Sequence, residues 1–599
     1  MAIEHFDEGV YASNFWFGAE EGYEYPARHL YAPPLLPLAI EWTMIIVSLC
    51  GFRPTGFVPM IPCLVAGLAT IPSLWWVGRR WFGPTAGIVS AWMVAASDFH
   101  SSYSRAALTD VPVGLFILWG VYFIWQALQS GTRRDILLGG LFTGLAWWTK
   151  YNGWLPLAIG LAGGTAWQLA LPRSERRIKE FGARWLMIAV TACVIWSPVL
   201  WGLQKHGGYA AVAANHRQYV VGFAGWPSGA WRQIHHVGLY DNWLGTFHEA
   251  FGELERRGVL RPDHDGAGGG AMGRMGGGGG GFFVLPRGPQ LWFRFDWVNR
   301  GMASQFGGGS GGPPGVPTAP SLRGRLSSIW IWLAKHCRRW APPLTTLSLI
   351  GVVLVGGIYG LRAHGRSSIG LPYWLLAAWL AGLTLMTPTY YPYPRLMLPW
   401  LLAIFLGMGL AFQSWGDWRK GRSDRSLAEV IRWKPTWAVK IVLLSLLACS
   451  SVRSIVGTAH AWKDRAGTQS AVQMFSEQVR EITRKAGYSS DEAIVYVCGE
   501  PAVVFHLRAN GLPLVSPVPN LGFLGQPQPR PTFVVMTSRA AQSEQNKFAW
   551  FEHGSAADLL KLPKVFESDL VQLDEAVNFD DLDNLADEPT EFWWWHVRS

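Results

Sequence analysis

The chain has 599 residues, half of them hydrophobic and only 15% charged, and its mean hydropathy is 0.15. Its net charge of +10 comes from Lys and Arg clusters that separate apolar stretches, as in the cytoplasmic loops of membrane proteins, so no nucleic-acid partner is expected. The six cysteines are scattered and form no C-x-x-C pair, which argues against a disulfide framework or a thiolate metal site.

Apolar stretches long enough to cross a bilayer as helices recur along the chain. About 20 such residues are needed, and lipid satisfies no backbone polar group, so these stretches must be helical. We therefore predict a polytopic α-helical membrane protein with about 10–11 transmembrane helices. The predicted spans lie near 56–78, 84–100, 111–129, 135–151, 153–171, 184–203, 341–361, 370–388, 396–413 and 437–456.

Basic connectors predict the orientation of these spans, because Lys and Arg accumulate on the cytoplasmic side. If the spans alternate, five basic connectors fall on one side: 79–80, 131–135, 172–184, 361–368 and 418–425. The opposite, outer side then receives 101–110, 150–153, 204–340, 387–395 and the tail from about 457. We expect an integral plasma (inner) membrane protein whose active site lies on the extracytoplasmic face.

The stretch 32–51 is apolar enough to span, but it contains three prolines and Glu41. Those features favour a helix that lies along the membrane interface. The alternative, a crossing helix, would place Asp7 in the cytoplasm, opposite Asp110.

We predict two domains. Residues 1–456 form the membrane domain, in which 1–55 are the first outer loop with its interfacial helix and 204–340 are a long outer loop rich in glycine. Residues 457–599 are predicted to form a small extracytoplasmic α/β domain, with a helix in "QSAVQMFSEQVREITRKAG" and strands in "AIVYVCG" and "TFVVMTS". The role predicted for this domain is structural, or the positioning of an acceptor.

The long outer loop is also the place where a metal could bind. It contains His235, His236, His248 and Glu249, followed by Asp263, His264 and Asp265. These are zinc-ligand types, yet no defined ligand spacing occurs. We assign no metal ligands and no certain cofactor; a divalent metal stays open.

Ionisable residues collect on the predicted outer face, where they are costly unless paired or solvated and so indicate a functional cavity. They are Asp7, Glu8, Arg105, Asp110, Lys150 and Arg395, and several tyrosines accompany them. Lys150 and Arg395 could instead extend to the interface on their long side chains, whereas the short Asp110 cannot.

Four segments in this order resemble the GT-C glycosyltransferases, in particular the protein mannosyltransferase and aminoarabinose transferase group (glycosyltransferase family 39 and its bacterial relatives). They are "FDEGVYA", "SRAALTDVPVGLF", "GLAWWTKYNGWLPL" and "YYPYPRLMLPWLLAI", and the resemblance covers roughly residues 1 to 415. It implies a GT-C-like fold and the inverting transfer of a sugar from a polyprenyl-phosphate carrier to an acceptor at the outer face. The acceptor could be a protein, a lipid or a cell-envelope glycan.

The resemblance also implies roles for residues. Asp7 would be the catalytic base, Glu8 would help to orient it, and Asp110 would match the second acid of the group. A positioned carboxylate that removes the proton of a sugar hydroxyl gives roughly 10²–10⁴-fold acceleration. The leaving lipid phosphate needs fixed cations, for which Lys150, Arg395 and Arg105 are the candidates. Tyr391, Tyr393 and His29 are the predicted substrate contacts.

Two departures from the family pattern affect these expectations. Family members carry a transmembrane helix before the acidic loop. This sequence shows none there, and we expect either that the start of the protein lies further upstream or that the helix is missing. Lipid A transferases of the group carry a lysine before the proline of the next motif, where this chain has Ala32 with Arg28 and His29 upstream. We therefore expect rearranged phosphate binding, and a lipid A acceptor is disfavoured.

Two other functions remain open at this stage. A transporter or lipid flippase is expected to show internal repeats and polar groups near the bilayer midplane. A non-catalytic scaffold would not need acids gathered at an outer cavity. Placement of Asp7 and Asp110 at opposite faces would contradict the transferase hypothesis.

Overall fold

The computed structural model describes residues 2–3, 6–13, 25, 27–53, 56–217, 350–390, 394–419, 467–517, 530–537, 566–567 and 592–597, with single positions between 220 and 233 and at 448 and 451. Met1–Asp241 and Ser348–Ser599 form one compact unit. The intervening Asn242–Leu347 lies outside the described residues, and so does most of the predicted span 437–456.

Most of the described chain is helical. The helices are α1 (Phe6–Ala12), α2 (Arg28–Tyr31), α3 (Leu35–Leu49), α4 (Ile61–Trp81), α5 (Pro84–Ala95), α6 (Asp98–Ser104), α7 (Asp110–Ser130), α8 (Arg133–Thr149), α9 (Leu155–Ala170), α10 (Ile178–Leu203), α11 (Gly208–Arg217), α12 (Ile350–His364), α13 (Leu371–Met386), α14 (Leu398–Arg419), α15 (Gly467–Lys485) and α16 (Pro501–Ala509). This architecture confirms the predicted α-helical membrane fold.

Within the described ranges, five helical segments are long and apolar enough to cross a bilayer. They are Val58–Trp81, Asp110–Ser130, Ile178–His206, Leu371–Thr389 and Arg395–Ser414. Each coincides with a predicted span. The helices α5, α8 and α9 are shorter than the prediction requires, with 12, 17 and 16 residues.

The predicted span 84–100 is wrong as a single helix. It breaks into α5 and α6 at Ser97, whose hydroxyl accepts a hydrogen bond from the backbone N–H of His100 and so begins a new helix. The stretch 32–51 contains α3, a helix of 15 residues, which is shorter than a membrane crossing requires. Its apolar side chains Leu38, Trp42 and Ile46 are exposed, while Glu41 is buried.

The helix α7 shows how sequence sets these elements. It begins at Asp110, whose carboxylate is favourable in a first turn, and it ends where Gly131 adopts the left-handed conformation at φ 66°. It packs against α8, and α8 packs against α10 through Gly140, where an added Cβ would lie 2.4 Å from the Thr191 side chain. Small residues permit such close approach between membrane helices.

Two helices of the bundle differ in burial, since α14 is central and α10 is peripheral. Every side chain from Met397 to Ala411, along the first part of α14, is buried. Along α10, in contrast, apolar side chains are exposed, namely Leu186, Met187, Val190, Val194 and Trp201. Exposed apolar side chains on a long helix are expected where the helix faces lipid.

The described residues from Gly467 onward form an α/β substructure, as predicted. We call it the carboxyl-terminal unit. Its five strands are β1 (Ile494–Cys498), β2 (Val515–Pro517), β3 (Thr532–Thr537), β4 (Phe566–Glu567) and β5 (Phe592–Val597), and they are ordered β2-β1-β3-β5-β4. Strand β1 is parallel to β2 and β3, whereas β5 is antiparallel to β3 and β4. The helix α15 and the strands β1 and β3 match the predicted elements, while α16, β2, β4 and β5 were not predicted.

Candidate active site

Four of the predicted charged side chains meet at one end of the helix bundle. Asp7 comes from α1, Asp110 begins α7, Lys150 follows α8, and Arg395 lies just before α14. Arg395 Nη2 is 2.7 Å from Asp7 Oδ2, and Arg395 Nε is 3.9 Å from Asp110 Oδ2. Lys150 Nζ donates a hydrogen bond to Asp110 Oδ1. We call these four residues the ion-pair cluster.

Asp110 is the centre of the ion-pair cluster. Its side chain is 2% exposed, and its two carboxylate oxygens face different cations, Lys150 and Arg395. Asp7, Arg395 and Lys150 are 13%, 12% and 17% exposed, so a molecule entering the site can reach them. Two carboxylates and two cations balance in charge, which lowers the cost of burying them together. Buried ions of this kind at helix ends in a membrane protein indicate function.

The short helix α1 presents several groups at this site. Asp7 and Tyr11 are four residues apart and therefore lie on the same face of α1. Burial, reinforced by the nearby Asp7 carboxylate, raises the pKa of Tyr11 well above its usual value of 10.0, so its hydroxyl stays protonated. Such a hydroxyl beside Asp7 offers a neutral hydrogen-bonding group.

Glu8 anchors α1 to the bundle. It is fully buried, and its Oε1 accepts a hydrogen bond of 2.7 Å from the backbone N–H of Ala107, in the turn between α6 and α7. The same turn holds Arg105, which is also fully buried. Neither side chain is exposed to solvent.

Several aromatic and histidine side chains contact one another near Lys150, among them Tyr151 and His216. The Tyr151 hydroxyl donates a hydrogen bond to the backbone carbonyl of His29, whose ring stacks on His206 with centroids 4.2 Å apart. The Tyr390 hydroxyl lies 2.9 Å from His216 Nδ1. Burial, together with the Lys150 ammonium, lowers the pKa of His216, so that its imidazole is neutral at pH 7.

Sequence reasoning singled out the four residues of the ion-pair cluster but not Tyr11 and His216, which lie near it. It brought Asp7, Asp110, Lys150 and Arg395 to one face, and the structure places them in contact. Tyr11 could have been found from its spacing of four residues after Asp7, had 6–12 been predicted as a helix. His216 had no such signal, because no motif or spacing around α11 indicates a contact with the ion-pair cluster.

Other predicted residues lie outside the described residues. Tyr391 and Tyr393, two of the predicted substrate contacts, are among them. So are the possible metal ligands His235, His236, His248, Glu249, Asp263, His264 and Asp265. Across the part of the chain that the structure describes, no group of three or more His, Cys, Asp or Glu side chains is placed to hold a metal ion.

Part of the chain matches a known family. Residues 32–201 match the family model described as Dolichyl-phosphate-mannose-protein mannosyltransferase. This segment includes Asp110 and Lys150 of the ion-pair cluster. Asp7 and Arg395 lie outside it.

Curated relatives match the same part of the chain. The undecaprenyl phosphate-alpha-4-amino-4-deoxy-L-arabinose arabinosyl transferase of Pseudomonas paraeruginosa is 27% identical over 168 residues, which cover 27% of this chain and 30% of that protein. The protein of the same name from Pseudomonas aeruginosa is also 27% identical over 168 residues. The match thus spans less than a third of the length of these relatives.

Two solved structures are also similar. ArnT from Cupriavidus metallidurans bound to undecaprenyl phosphate has a TM-score of 0.47 and 13% identity, with 99% of this chain and 94% of that chain covered. The oligosaccharyltransferase AglB from Archaeoglobus fulgidus has a TM-score of 0.44 and 13% identity, with 86% and 60% covered. Together, the family match to residues 32–201 and the curated relatives confirm the predicted resemblance to GT-C glycosyltransferases of the protein mannosyltransferase and aminoarabinose transferase type.

Proposed function

We propose that this protein is a membrane glycosyltransferase that moves a sugar from a polyprenyl phosphate to an acceptor hydroxyl, with Asp7 as the base. The observation that carries the proposal is the ion-pair cluster, in which the accessible Asp7 carboxylate pairs with Arg395 and a second cation, Lys150, is held by Asp110. The reaction needs both elements, a proton acceptor for the attacking oxygen and positive charge for the departing phosphate.

The proposed chemistry is a single displacement. The acceptor oxygen forms a bond to the anomeric carbon of the sugar, and the bond between that carbon and the phosphate oxygen breaks. The bonding electrons leave with the phosphate, the hydroxyl proton passes to the Asp7 carboxylate, and the configuration at the anomeric carbon inverts. The products are the glycosylated acceptor and polyprenyl phosphate.

The two cations share one task in this reaction, which is to bind the lipid phosphate. Arg395 pairs with Asp7 through Nη2, while Asp110 holds Lys150 and faces Arg395 Nε. An arriving lipid phosphate would take donors from Lys150 and Arg395, which leaves Asp7 free to accept a hydrogen bond from the acceptor hydroxyl. Asp110 then keeps both cations in place. Charge-assisted contacts of this kind are about twice as strong as neutral hydrogen bonds.

Glu8 and Arg105 take supporting roles in this proposal. Both side chains are fully buried, so contact with a lipid phosphate or an acceptor would require them to move. The hydrogen bond from the Ala107 backbone to Glu8 fixes the rotation of α1 and hence the direction of Asp7.

We place the site on the extracytoplasmic face of the plasma membrane. The ion-pair cluster lies where α7 begins and α8 ends, so the basic connector 131–135 between these two helices lies at the opposite end of the bundle. The positive-inside rule assigns that basic end to the cytoplasm. The contact of Arg395 with both Asp7 and Asp110 supports an α3 that does not cross the membrane.

The location of the charged groups supports this function over transport. A transporter is expected to bind its substrate near the bilayer midplane. The ion-pair cluster lies instead at the helix ends, where a lipid phosphate and its sugar would meet water.

The test uses membranes that contain the full chain and a panel of radiolabelled polyprenyl-phosphate sugars. The names of the relatives make undecaprenyl phosphate-linked 4-amino-4-deoxy-arabinose and dolichyl phosphate-linked mannose the first donors to try. Loss of label from the lipid is followed for the parent and for Asp7→Asn. We expect the variant to turn over roughly 10²–10⁴-fold more slowly, because the base is lost.

The matched control is Glu175→Gln, an equally small change at an exposed acid in the connector before α10. It is expected to retain parental turnover. Equal turnover by the parent and Asp7→Asn would contradict the assigned base, and absence of turnover with every donor in the panel would contradict the transferase proposal.

A further inference from the structure

The catalytic helix α1 packs directly on the helix α16 of the carboxyl-terminal unit. The contact is closest at Gly9, where an added Cβ would lie 2.2 Å from the backbone nitrogen of Ala502 and 2.3 Å from the carbonyl carbon of Pro501. Both neighbouring atoms belong to the backbone and cannot rotate away. Glycine is therefore the residue that permits this approach.

A second contact joins the same two segments. His506 Nε2 donates a hydrogen bond of 2.8 Å to the backbone carbonyl of Ile3. Burial lowers the pKa of His506 to about 4, so the imidazole is neutral at pH 7 and carries a single N–H. Ile3 and His506 are both buried, and the bond is shielded from water.

These two contacts bracket Asp7. Ile3 lies four residues before it and Gly9 lies two residues after it. Two residues correspond to about 200° around a helix, so Gly9 faces α16 while Asp7 faces the opposite direction, toward Arg395. A helix of seven residues is unstable by itself, since isolated helices shorter than about 12 residues are marginal in water. Its position depends on what it packs against.

The supporting helix is itself firmly held. It follows β1, and Glu500, directly before its first residue, accepts a hydrogen bond of 2.7 Å from the Thr537 hydroxyl at the end of β3. The α16 side chains Val504 and Phe505 are fully buried. The surface that meets α1 is thus anchored to two strands of the sheet.

We infer that the carboxyl-terminal unit positions the catalytic base, with α16 as a rigid support for α1 and with Gly9 and His506 as positioning residues. The inference rests on the proposed function for the role of Asp7. It assigns the unit a place in the reaction, because a base must be held within about 0.5 Å of its productive position. Neither residue touches the substrate.

The first test is Gly9→Ala in the full-length protein in lipid nanodiscs. The added methyl group must push α1 away from α16 by more than an ångström, and a displacement of that size costs about 10²-fold in rate. We expect kcat to fall about 10²-fold, with the KM for the lipid donor changed little, because Lys150 does not lie on α1. Hydrogen exchange should accelerate at residues 6–13 and stay unchanged at Gly467–Lys485.

The matched control is Gly382→Ala in α13, where an added Cβ meets nothing within 4 Å. It should leave kcat, KM and exchange at 6–13 at their parental values. Parental kcat and parental exchange in Gly9→Ala would overturn the inference.

A second pair of variants tests the same support without a steric clash. His506→Gln keeps an N–H donor that can reach the Ile3 carbonyl, whereas His506→Leu removes it. We expect His506→Leu to lower kcat and to accelerate exchange at 6–13, with both values largely restored in His506→Gln. If Gly9→Ala also unfolds the carboxyl-terminal unit, the comparison of His506→Leu with His506→Gln becomes the test of the inference. Equal kcat in these two variants overturns it.

The exchange measurement separates the two proposals. A parent that transfers no sugar from any donor contradicts the proposed function, yet accelerated exchange at 6–13 in His506→Leu would still support the packing role of α16. Unchanged exchange in an active enzyme, with unchanged kcat, contradicts only the positioning role.

Discussion

The two ends of the helix bundle use the same kinds of charged residue in different ways. At the site end, Asp110 is 2% exposed and its oxygens face two cations. At the basic end, Glu180 pairs with Arg177 at 3.6 Å and with Arg184 at 3.3 Å, yet the Glu180 side chain is 51% exposed. Exposed pairs contribute about 0–1 kcal/mol, whereas a buried ion without its partner is strongly destabilising. Burial therefore distinguishes the charged residues at the site end from those at the basic end.

The largest effect should follow from Asp110→Asn. This change removes the shared partner of Lys150 and Arg395 and leaves two cations imperfectly paired, a loss of about 3–5 kcal/mol in the free energy of unfolding. The midpoint of thermal unfolding in detergent and the rate of sugar transfer should both fall. The double variant Asp110→Asn/Lys150→Met should recover part of the stability but none of the transfer. Equal stability of the parent and the single variant would remove the contrast between the two ends.

A smaller effect on the free energy of unfolding is expected when the pH is lowered, because His506 is another buried group near the site end. The folded pKa of His506 is about 4, below its unfolded value of 6.5, so folding favours the neutral imidazole. Its stabilising contribution is complete above pH 6.5 and is lost as the pH falls toward 4, at about 1.4 kcal/mol per pH unit.

The measurement is the midpoint of thermal unfolding between pH 7 and pH 4.5. His100 is also buried, with its pKa lowered to about 4, so it adds to the same trend. His506→Gln isolates one contribution, because the difference between the parent and this variant should change with pH. A constant difference across the range would show that His506 does not titrate between the folded and unfolded states.

The smallest effect should come from Glu180→Gln at the basic end. Loss of two exposed pairs is expected to change the free energy of unfolding by less than about 1 kcal/mol and to leave sugar transfer unaffected. A loss comparable to that of Asp110→Asn would mean that burial does not distinguish the two ends.

The ion-pair cluster could be predicted from sequence because topology fixes it. Asp110, Lys150 and Arg395 each lie at the end of an apolar segment, and alternation of the spans brings those ends to one face. Asp7 was placed there through the resemblance and through the choice of an interfacial α3. The placement of Asp110, Lys150 and Arg395 needs only the length and order of the apolar segments.

The support of α1 by α16 could not be predicted, because it depends on contacts between distant residues. Gly9 has no pattern around it that indicates a helix contact, and His506 lies in a segment that sequence analysis left unassigned. Strand β5 was missed for a related reason. Its run of three tryptophans reads as apolar sequence of no particular type until β3 and β4 offer it pairing partners.

The hydrogen bond between Ile3 and His506 also has a consequence for synthesis of the protein. These residues are 503 positions apart, so the ribosome makes the helix that carries Asp7 long before the helix that supports it. At roughly 5–20 residues per second, the interval is about 25–100 s. During that time the membrane helices can insert while α1 stays unsupported. The nascent chain would therefore acquire activity late, after translation has reached α16, and unfinished chains in the membrane would be poor catalysts.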